Sequence, residues 1–300
     1  MKKFSTTSEL KIFWNNFQKD YTDYMEPNVL NLFIMLLNSS NLFKINQITT
    51  GKKAILEAAC GGGAGLEYLC WQLKQKGIEA DVYGTDLSPN MLETTYYRMK
   101  KLDFINLEYL DSQMDKINNN AKINLYLKEA DNENLPFDEN KFDLIISSLS
   151  LHLVADPEKM LFEIKRILKP EAYAYFSIWG RPENCLPFTV IPNNVKKAGI
   201  VLPNNRSNFH LSKEVALKEL FNKAGISKYK ISATFIPFNF NDAKDFLFMM
   251  NGPSFSELMK DCSDKEREDV KNNIINDLNE IIYGENFMGI EAFIIRTAKF

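Results

Sequence analysis

Residues 54–65 read AILEAACGGGAG: an apolar run, an acid at Glu57, then Ala59, Cys60, Gly61, Gly62, Gly63 and Gly65. Glycines in such a place remove the side chains that would hold a ligand away from the backbone, and the first amides of a following helix face that ligand. A second acid, Asp86, stands 25 positions after Gly61 in the segment VYGTD. Ending a second strand, its carboxylate can accept two hydrogen bonds from a ribose diol. Turn and acid together describe a nucleoside-shaped pocket.

A glycine cluster alone also fits a plain tight turn, so the spacing has to discriminate. The dinucleotide pattern Gly-x-Gly-x-x-Gly/Ala fits poorly. Counted from Gly61 its last position is Leu66; counted from Ala59 it ends on Ala64 but puts alanine at the tight-turn glycine.

The elements that must position these residues follow from hydrophobic period. Residues 9–38 carry apolar positions at helical spacing, interrupted by Pro27, and predict two helices. From Lys53 the pattern alternates: strand 53–58, helix 64–76, strand 80–85, helix 89–101, strands 123–129 and 142–147, helix 157–168, strand 171–178. Near-continuous apolar strands such as Phe142-Asp-Leu-Ile-Ile predict an α/β fold with a mostly parallel, doubly wound sheet covered on both faces. Residues 103–122, with Asn118, Asn119 and Asn120, show no clear period and read as a surface insertion. Residues 181–211, rich in Pro and Asn, read as a loop or lid over the carboxyl edge of the sheet. Helix 212–224, strand 227–236, helices 242–250 and 263–283 and a strand near 288–298 complete the chain.

The composition narrows the class. A 300-residue chain with 45% hydrophobic content can bury a large core. A net charge of −3 with interspersed signs disfavours a general grip on nucleic acid. Cys60, Cys70, Cys185 and Cys262 are scattered, which indicates neither a zinc site nor a disulfide framework, and no metal is expected. The segment MKKFSTTSELKIFWNNFQKD is polar where a leader would be apolar, and the apolar run Leu32–Leu37 is far short of the ~20 residues that span a bilayer. A cytoplasmic protein without membrane insertion is the expectation; nothing bears on its oligomeric state.

The segments around the turn resemble class I S-adenosylmethionine-dependent methyltransferases of the methyltransferase type 11-like kind. Glu57-Ala-Ala59-Cys60-Gly61-Gly62-Gly63 is similar to the family's Glu/Asp-x-Gly-Cys-Gly-x-Gly, with Ala59 in place of glycine. Gly84-Thr-Asp86-Leu87-Ser-Pro-Asn-Met91, Lys128-Glu-Ala-Asp131-Asn132-Glu-Asn-Leu-Pro-Phe137, Phe142-Asp-Leu-Ile-Ile-Ser147-Ser148-Leu-Ser-Leu-His152 and Lys165-Arg-Ile-Leu-Lys-Pro170 continue the resemblance, Glu171-Ala172 replacing the usual Gly-Gly.

The resemblance implies a Rossmann-like seven-stranded sheet, an N-terminal helical cap over 1–50 and a methyltransferase domain over 51–300 with its lid at about 181–211. It implies S-adenosyl-L-methionine as cofactor, held by Tyr21, Glu57, Ala59, Cys60, Gly61, Gly63, Asp86, Leu87, Met91, Asp131, Asn132 and Ser147. Ser148, His152 and Trp179 would then face the acceptor, with His152 a candidate base. Each has a structural reading beside the functional one. Tyr21 and Trp179 pack equally well as core, Asp131 ends a turn, Ser147 and Ser148 end a strand, His152 starts a helix, and Cys60 is a small packing residue because methyl transfer needs no thiolate. Trp71 reads as core and His210 as a loop residue.

The acceptor is open. No Asp/Asn-Pro-Pro-Tyr follows the fourth predicted strand, where the chain reads Ser-Ser-Leu-Ser, which argues against amino-group methylation of nucleic acid. Phe188, Phe209, Phe235, Phe238, Phe240, Phe246 and Phe248 suit either an enclosed apolar pocket for a small molecule or plain core. The competing readings are an idle cofactor-binding partner subunit, a protein or nucleic-acid methyltransferase, and a nicotinamide oxidoreductase.

Overall fold

The computed structural model describes residues 6–40, 42, 51–202, 207–238, 243–246, 255, 258–284 and 289–299. Its centre is an eight-stranded sheet in the order β3-β4-β2-β1-β5-β6-β8-β7. The strands are β1 Lys53–Ala58, β2 Ala80–Asp86, β3 Ile105–Tyr109, β4 Ile123–Glu129, β5 Phe142–Ser148, β6 Leu168–Trp179, β7 Tyr229–Pro237 and β8 Gly289–Ala298. β1 to β6 pair in parallel, and β8 runs antiparallel between β6 and β7. β1 lies between β2 and β5, so the sheet is wound in opposite directions from β1, and the crevice for a ligand opens at its carboxyl end.

Helices cover both faces because the strands are apolar on both. α1 Thr7–Asp20 and α2 Glu26–Ser39 are joined by a π-helical turn, Tyr21–Met25, and Pro27 sits in the first turn of α2. α2 packs beside α3 Ala64–Gln75 and against β5 and β6, and α4 Pro89–Met99 follows β2. Leu32, Phe33, Leu36, Leu66, Leu69, Leu73 and Leu92 join Ile55, Val82 and Ile146 in one core. On the other face α5 Pro157–Ile167 packs Met160, Leu161, Ile164 and Ile167, a helical repeat, against Leu56, Phe142 and Phe176, with α7 Glu214–Lys223 beside it. Asp156 caps α5 by accepting from the amides of Glu158 and Lys159 at 3.1 and 3.2 Å.

Three expectations are corrected. Residues 103–122 are not merely a surface insertion: Ile105 and Leu107 are buried in β3, an eighth strand on the sheet edge beyond the expected seven. The alternation in Ile105-Asn-Leu107-Glu-Tyr109 is too short to stand out among polar neighbours. The asparagines sew the following loop to that strand, with Asn119 Nδ2 donating to Ile105 O at 2.8 Å and Asn106 Oδ1 accepting from Asn119 N at 2.9 Å.

Residues 181–211, read as a loop or lid, carry helical structure of their own. Pro182–Asn184 forms a 3₁₀ turn and α6 spans Leu186–Lys197, with Pro187 in its first turn and Pro192 inside, prolines that disguised its period. α6 packs Val190, Ile191 and Val195 on Val270, Ile274 and Leu278 of α8, Asp264–Tyr283, in a third core apart from the sheet. Of the expected helix 242–250, the described part is a 3₁₀ turn, Ala243–Phe246. Phe240 and Phe248 lie outside the described residues, as do parts of both the 1–50 cap and the 181–211 segment.

Among the described residues no helix is long and apolar enough to cross a membrane, and no group of three or more His, Cys, Asp or Glu is placed to hold a metal ion.

Candidate functional site

The turn between β1 and α3 depends on backbone conformations that few residues adopt. Gly61 and Gly63 have φ of +55° and +86°, and Ala59, in the position where the family pattern has glycine, sits at +61°. Side chains would not fit at the two central glycines. A Cβ on Gly63 would lie 2.6 Å from Thr95 Cγ2, and one on Gly62 would lie 2.5 Å from Thr22 Cγ2. Thr95 Oγ1 donates to Gly61 O at 2.8 Å, and Cys60 N donates to Thr85 O at 2.8 Å, so α4 and β2 hold the turn from the side.

Asp86 closes the same corner. Its carboxylate is buried and accepts from Gly61 N and Ser88 N, both at 2.9 Å. Burial pushes its pKa up to about 6 against the pull of the Ser88, Gly61 and Leu87 amides. Glu57, also buried, has its pKa raised well above the carboxylate range by burial first, then by the charges of Glu26 and Asp86. Its Oε2 has no hydrogen-bond partner. Glu26, from the first turn of α2, accepts from Ala64 N at 3.3 Å and pairs with Arg98, which also meets Glu67 at 3.3 Å. Three carboxylates thus crowd one turn, and of the three only Glu26 pairs with the Arg98 guanidinium. Burial first and these acids next push the Cys60 thiol well above its ordinary range, which suits packing and not nucleophilic chemistry.

The cap helices complete the enclosure. A Cβ on Gly61 would come within 3.1 Å of the Tyr21 ring, so Tyr21 lies directly over the turn. Burial, then Glu26, Asp86 and Glu57, raise its phenol pKa well above the ordinary value. Asn15 Oδ1 accepts from Ser88 Oγ at 2.6 Å, and Gln18 Nε2 donates to Thr94 Oγ1 at 2.8 Å. Met91 is buried and Leu87 half-buried at the end of β2. Across the crevice Ala130 N donates to Asp86 O at 3.0 Å, which sets Asp131 and Asn132 beside that strand end. Asp131 Oδ1 accepts from Glu133 N at 2.9 Å, while the buried Asn132 Oδ1 has no partner.

Ser147 plays a different part from its neighbours. Its hydroxyl donates to Ala58 O at 2.7 Å and pairs with Ser150, so it ties β1 to β5. Ser148 Oγ and Ser177 Oγ are 2.9 Å apart at the ends of β5 and β6. Beyond them the buried His152 meets Trp179 edge to face at 5.9 Å. Trp179 packs on Phe188 of α6 at 4.8 Å, and Phe188 on Phe238, just past β7, at 5.4 Å. Phe209 packs on the large core to which Trp179 and Phe238 belong, and His210 Nε2 is 3.1 Å from His152 O, so both histidines meet at this corner. Phe235, by contrast, is 52% exposed, and Phe246 belongs to the α6–α8 core. Trp71 is 41% exposed and packs on Phe104 at the opposite end of the strands, away from the core position expected for it.

Glu26, Thr95 and Arg98 complete the glycine corner without having been singled out by spacing. Each comes from a helix whose local pattern is ordinary, and only the fold brings it to the turn.

The residues present fit a ligand that combines a ribose diol with positive charge. The diol suits Asp86, and cationic groups would relieve the crowding of Glu26, Glu57 and Asp86 and satisfy Glu57 Oε2. Such a fold and corner define a Rossmann-like nucleoside-binding domain. Residues 56–176 match the methyltransferase domain family, and this part of the chain is a class I S-adenosylmethionine-dependent methyltransferase domain. S-adenosylmethionine, with its ribose, ammonium and sulfonium, is the cofactor of that class.

The chain is 34% identical over 130 residues to a 2-phytyl-1,4-naphtoquinone methyltransferase of Nostoc punctiforme, which covers 43% of this chain and 47% of that one. It therefore spans about half the length of such curated relatives. A shorter stretch of 51 residues is 51% identical to the human mitochondrial arginine-hydroxylase NDUFAF5, covering 17% of this chain and 15% of that one. The solved structure of the [4+2]-cyclase SpnF superposes with a TM-score of 0.55 at 12% identity, covering 99% of this chain and 98% of that one, and shares the fold.

Proposed function

We propose that the whole chain is a methyltransferase that uses S-adenosylmethionine to methylate a small, largely apolar acceptor. The observation that carries the acceptor half of this reading is the Trp179–Phe188–Phe238 wall beside Ser148 and His152, at the carboxyl ends of β5 and β6. The quinone ring named for the Nostoc relative is of the kind that aromatic faces stack on.

When bound, the cofactor supplies a methyl on a cationic sulfur that is already activated for displacement. The chain's part is then to bind, align and exclude water. Asp86 would take the ribose diol, and Glu57 the cationic end. Tyr21 would close the turn, Asp131 would meet the adenine amino group with the unpartnered Asn132 Oδ1 beside it, and Leu87 and Met91 would flank the base. His152, beside Trp179, would receive a proton where the acceptor holds one.

Mass spectrometry of extracts incubated with the enzyme and methyl-labelled cofactor identifies the acceptor. Label appearing on a neutral ring compound supports the reading, and label on nucleic acid or protein overturns it. The stretch shared with an arginine-hydroxylase favours one second reading, a cofactor-binding protein that does not transfer methyl. Cofactor binding by calorimetry with no label transferred from any extract would select it.

A further inference from the structure

Glu291 lies on β8, outside the cofactor corner, and its side chain is completely buried. Nearly everything it bonds to belongs to the few residues by which the chain leaves β6. Oε2 accepts from Arg181 N at 2.9 Å, Arg181 Nε at 2.9 Å and Asn184 Nδ2 at 3.1 Å, and Oε1 from Arg181 Nη2 at 2.6 Å. Its carbonyl accepts from Gly180 N at 2.8 Å and from Cys185 Sγ at 3.3 Å. Gly180 is the residue that allows this approach, since a Cβ there would lie 2.6 Å from Glu291 Cγ. The Arg181 guanidinium holds the carboxyl down to about 2, so it stays ionised and keeps its donors at any working pH.

The chain runs from this clamp straight into α6. That helix begins at Leu186, carries Phe188 one turn from the clamp, and is held at its far end by α8, where Asn194 Nδ2 donates to Asp277 at 2.7 Å and Lys197 pairs with Asp277 at 3.0 Å. Trp179, on the other side of the clamp, is in register with Ala292, the neighbour of Glu291. One carboxylate therefore holds the stretch of chain that joins the two rings of the acceptor wall.

We propose that Glu291 is a positioning residue for the acceptor: by gathering the donors of residues 180–185 it sets where α6 leaves the sheet, and so places Phe188 on Trp179. It touches neither cofactor nor acceptor. The inference rests on the reading of the Trp179 corner as the acceptor side.

The test uses the full chain with Glu291→Gln and, because a buried change can cost folding, Arg181→Ala at a half-exposed side chain. Hydrogen exchange of the amides in 181–197 should speed up at least tenfold in both variants, while the 54–58 and 80–86 strands stay protected and S-adenosylmethionine affinity stays within twofold. In a Trp14→Phe, Trp71→Phe background, the emission of Trp179 reports the ring contact directly. Both variants should shift it, and 2-methyl-1,4-naphthoquinone, used as a neutral aromatic probe, should quench it at least fivefold less tightly than in the parent. Unchanged exchange in 181–197, or cofactor affinity falling in step with the probe, would overturn the proposal. Loss of cofactor binding in the parent chain would instead strike at the methyltransferase reading and leave the exchange result standing.

Discussion

The two sides of the crevice are built differently. On the β1–β2 side the working groups are mostly main-chain amides and carbonyls of one turn, gathered by two buried acids from other elements, Asp86 accepting from Gly61 N 25 positions away and Glu26 from Ala64 N 38 positions away. On the β6–β8 side they are rings from separate elements, Trp179, Phe188 and Phe238, with His152 beside them. A turn made of backbone tolerates little variation, because a side chain at Gly62 or Gly63 collides with its neighbours. A wall made of rings can be rebuilt with other apolar residues at modest cost, which allows one donor site to serve many acceptors.

If that contrast holds, the largest effect belongs to the backbone side. Asp86→Ala should weaken S-adenosylmethionine binding by about 100-fold in calorimetry, since two hydrogen bonds to a charged acceptor contribute roughly 3 kcal/mol. The pH dependence comes from the same group. Its folded pKa is raised to about 6, so the carboxylate a diol needs is lost below that pH, and cofactor affinity should fall with acid from pH 6 downward. An affinity flat between pH 7 and 5 would remove Asp86 from the site.

Phe188→Ala tests the other side. It should raise the KM for the labelled acceptor by about tenfold and leave cofactor affinity within about twofold, as truncation of one ring in a packed cluster does. Equal losses on both sides would erase the division.

Glu57→Gln separates stability from binding. The folded pKa of Glu57 is raised, so the stability linked to this group is present at low pH and lost as pH rises past the unfolded value. At pH 7 the neutral amide should raise the ligand-free Tm by about 2 °C, a gain of under ~1 kcal/mol, while weakening the cofactor's cationic end. A lowered Tm would show that the charge is needed for folding.

The smallest effect lies outside both sides. Glu171 has φ of +63° before the straight part of β6, where the family pattern has glycine. Relief of that strain is nearly offset by the flexibility glycine adds to the unfolded chain, so Glu171→Gly should shift stability by less than ~1 kcal/mol in thermal melts.

Much of this was legible in the chain itself. The glycine turn, Asp86 and the alternation from β1 to β6 are local patterns, because a turn that requires consecutive glycines and strands buried on both faces each leave a mark within a few residues. β3 and α6 were not legible, the first because three apolar residues are too few to show a period, the second because prolines masked one. Ser147 was legible as a strand end but not as the residue that ties β5 to Ala58.

The sequence alone determined the class of fold and the nature of the methyl donor, since both rest on contacts between residues close along the chain or at family spacing. Only the tertiary structure decided that Glu26 and Arg98 join the donor corner, that both histidines meet behind Trp179, and that Glu291 holds the exit from β6. Those contacts join residues tens to more than a hundred positions apart. No periodicity encodes such pairs, because they are selected by the packing of whole elements and not by any local preference of the backbone.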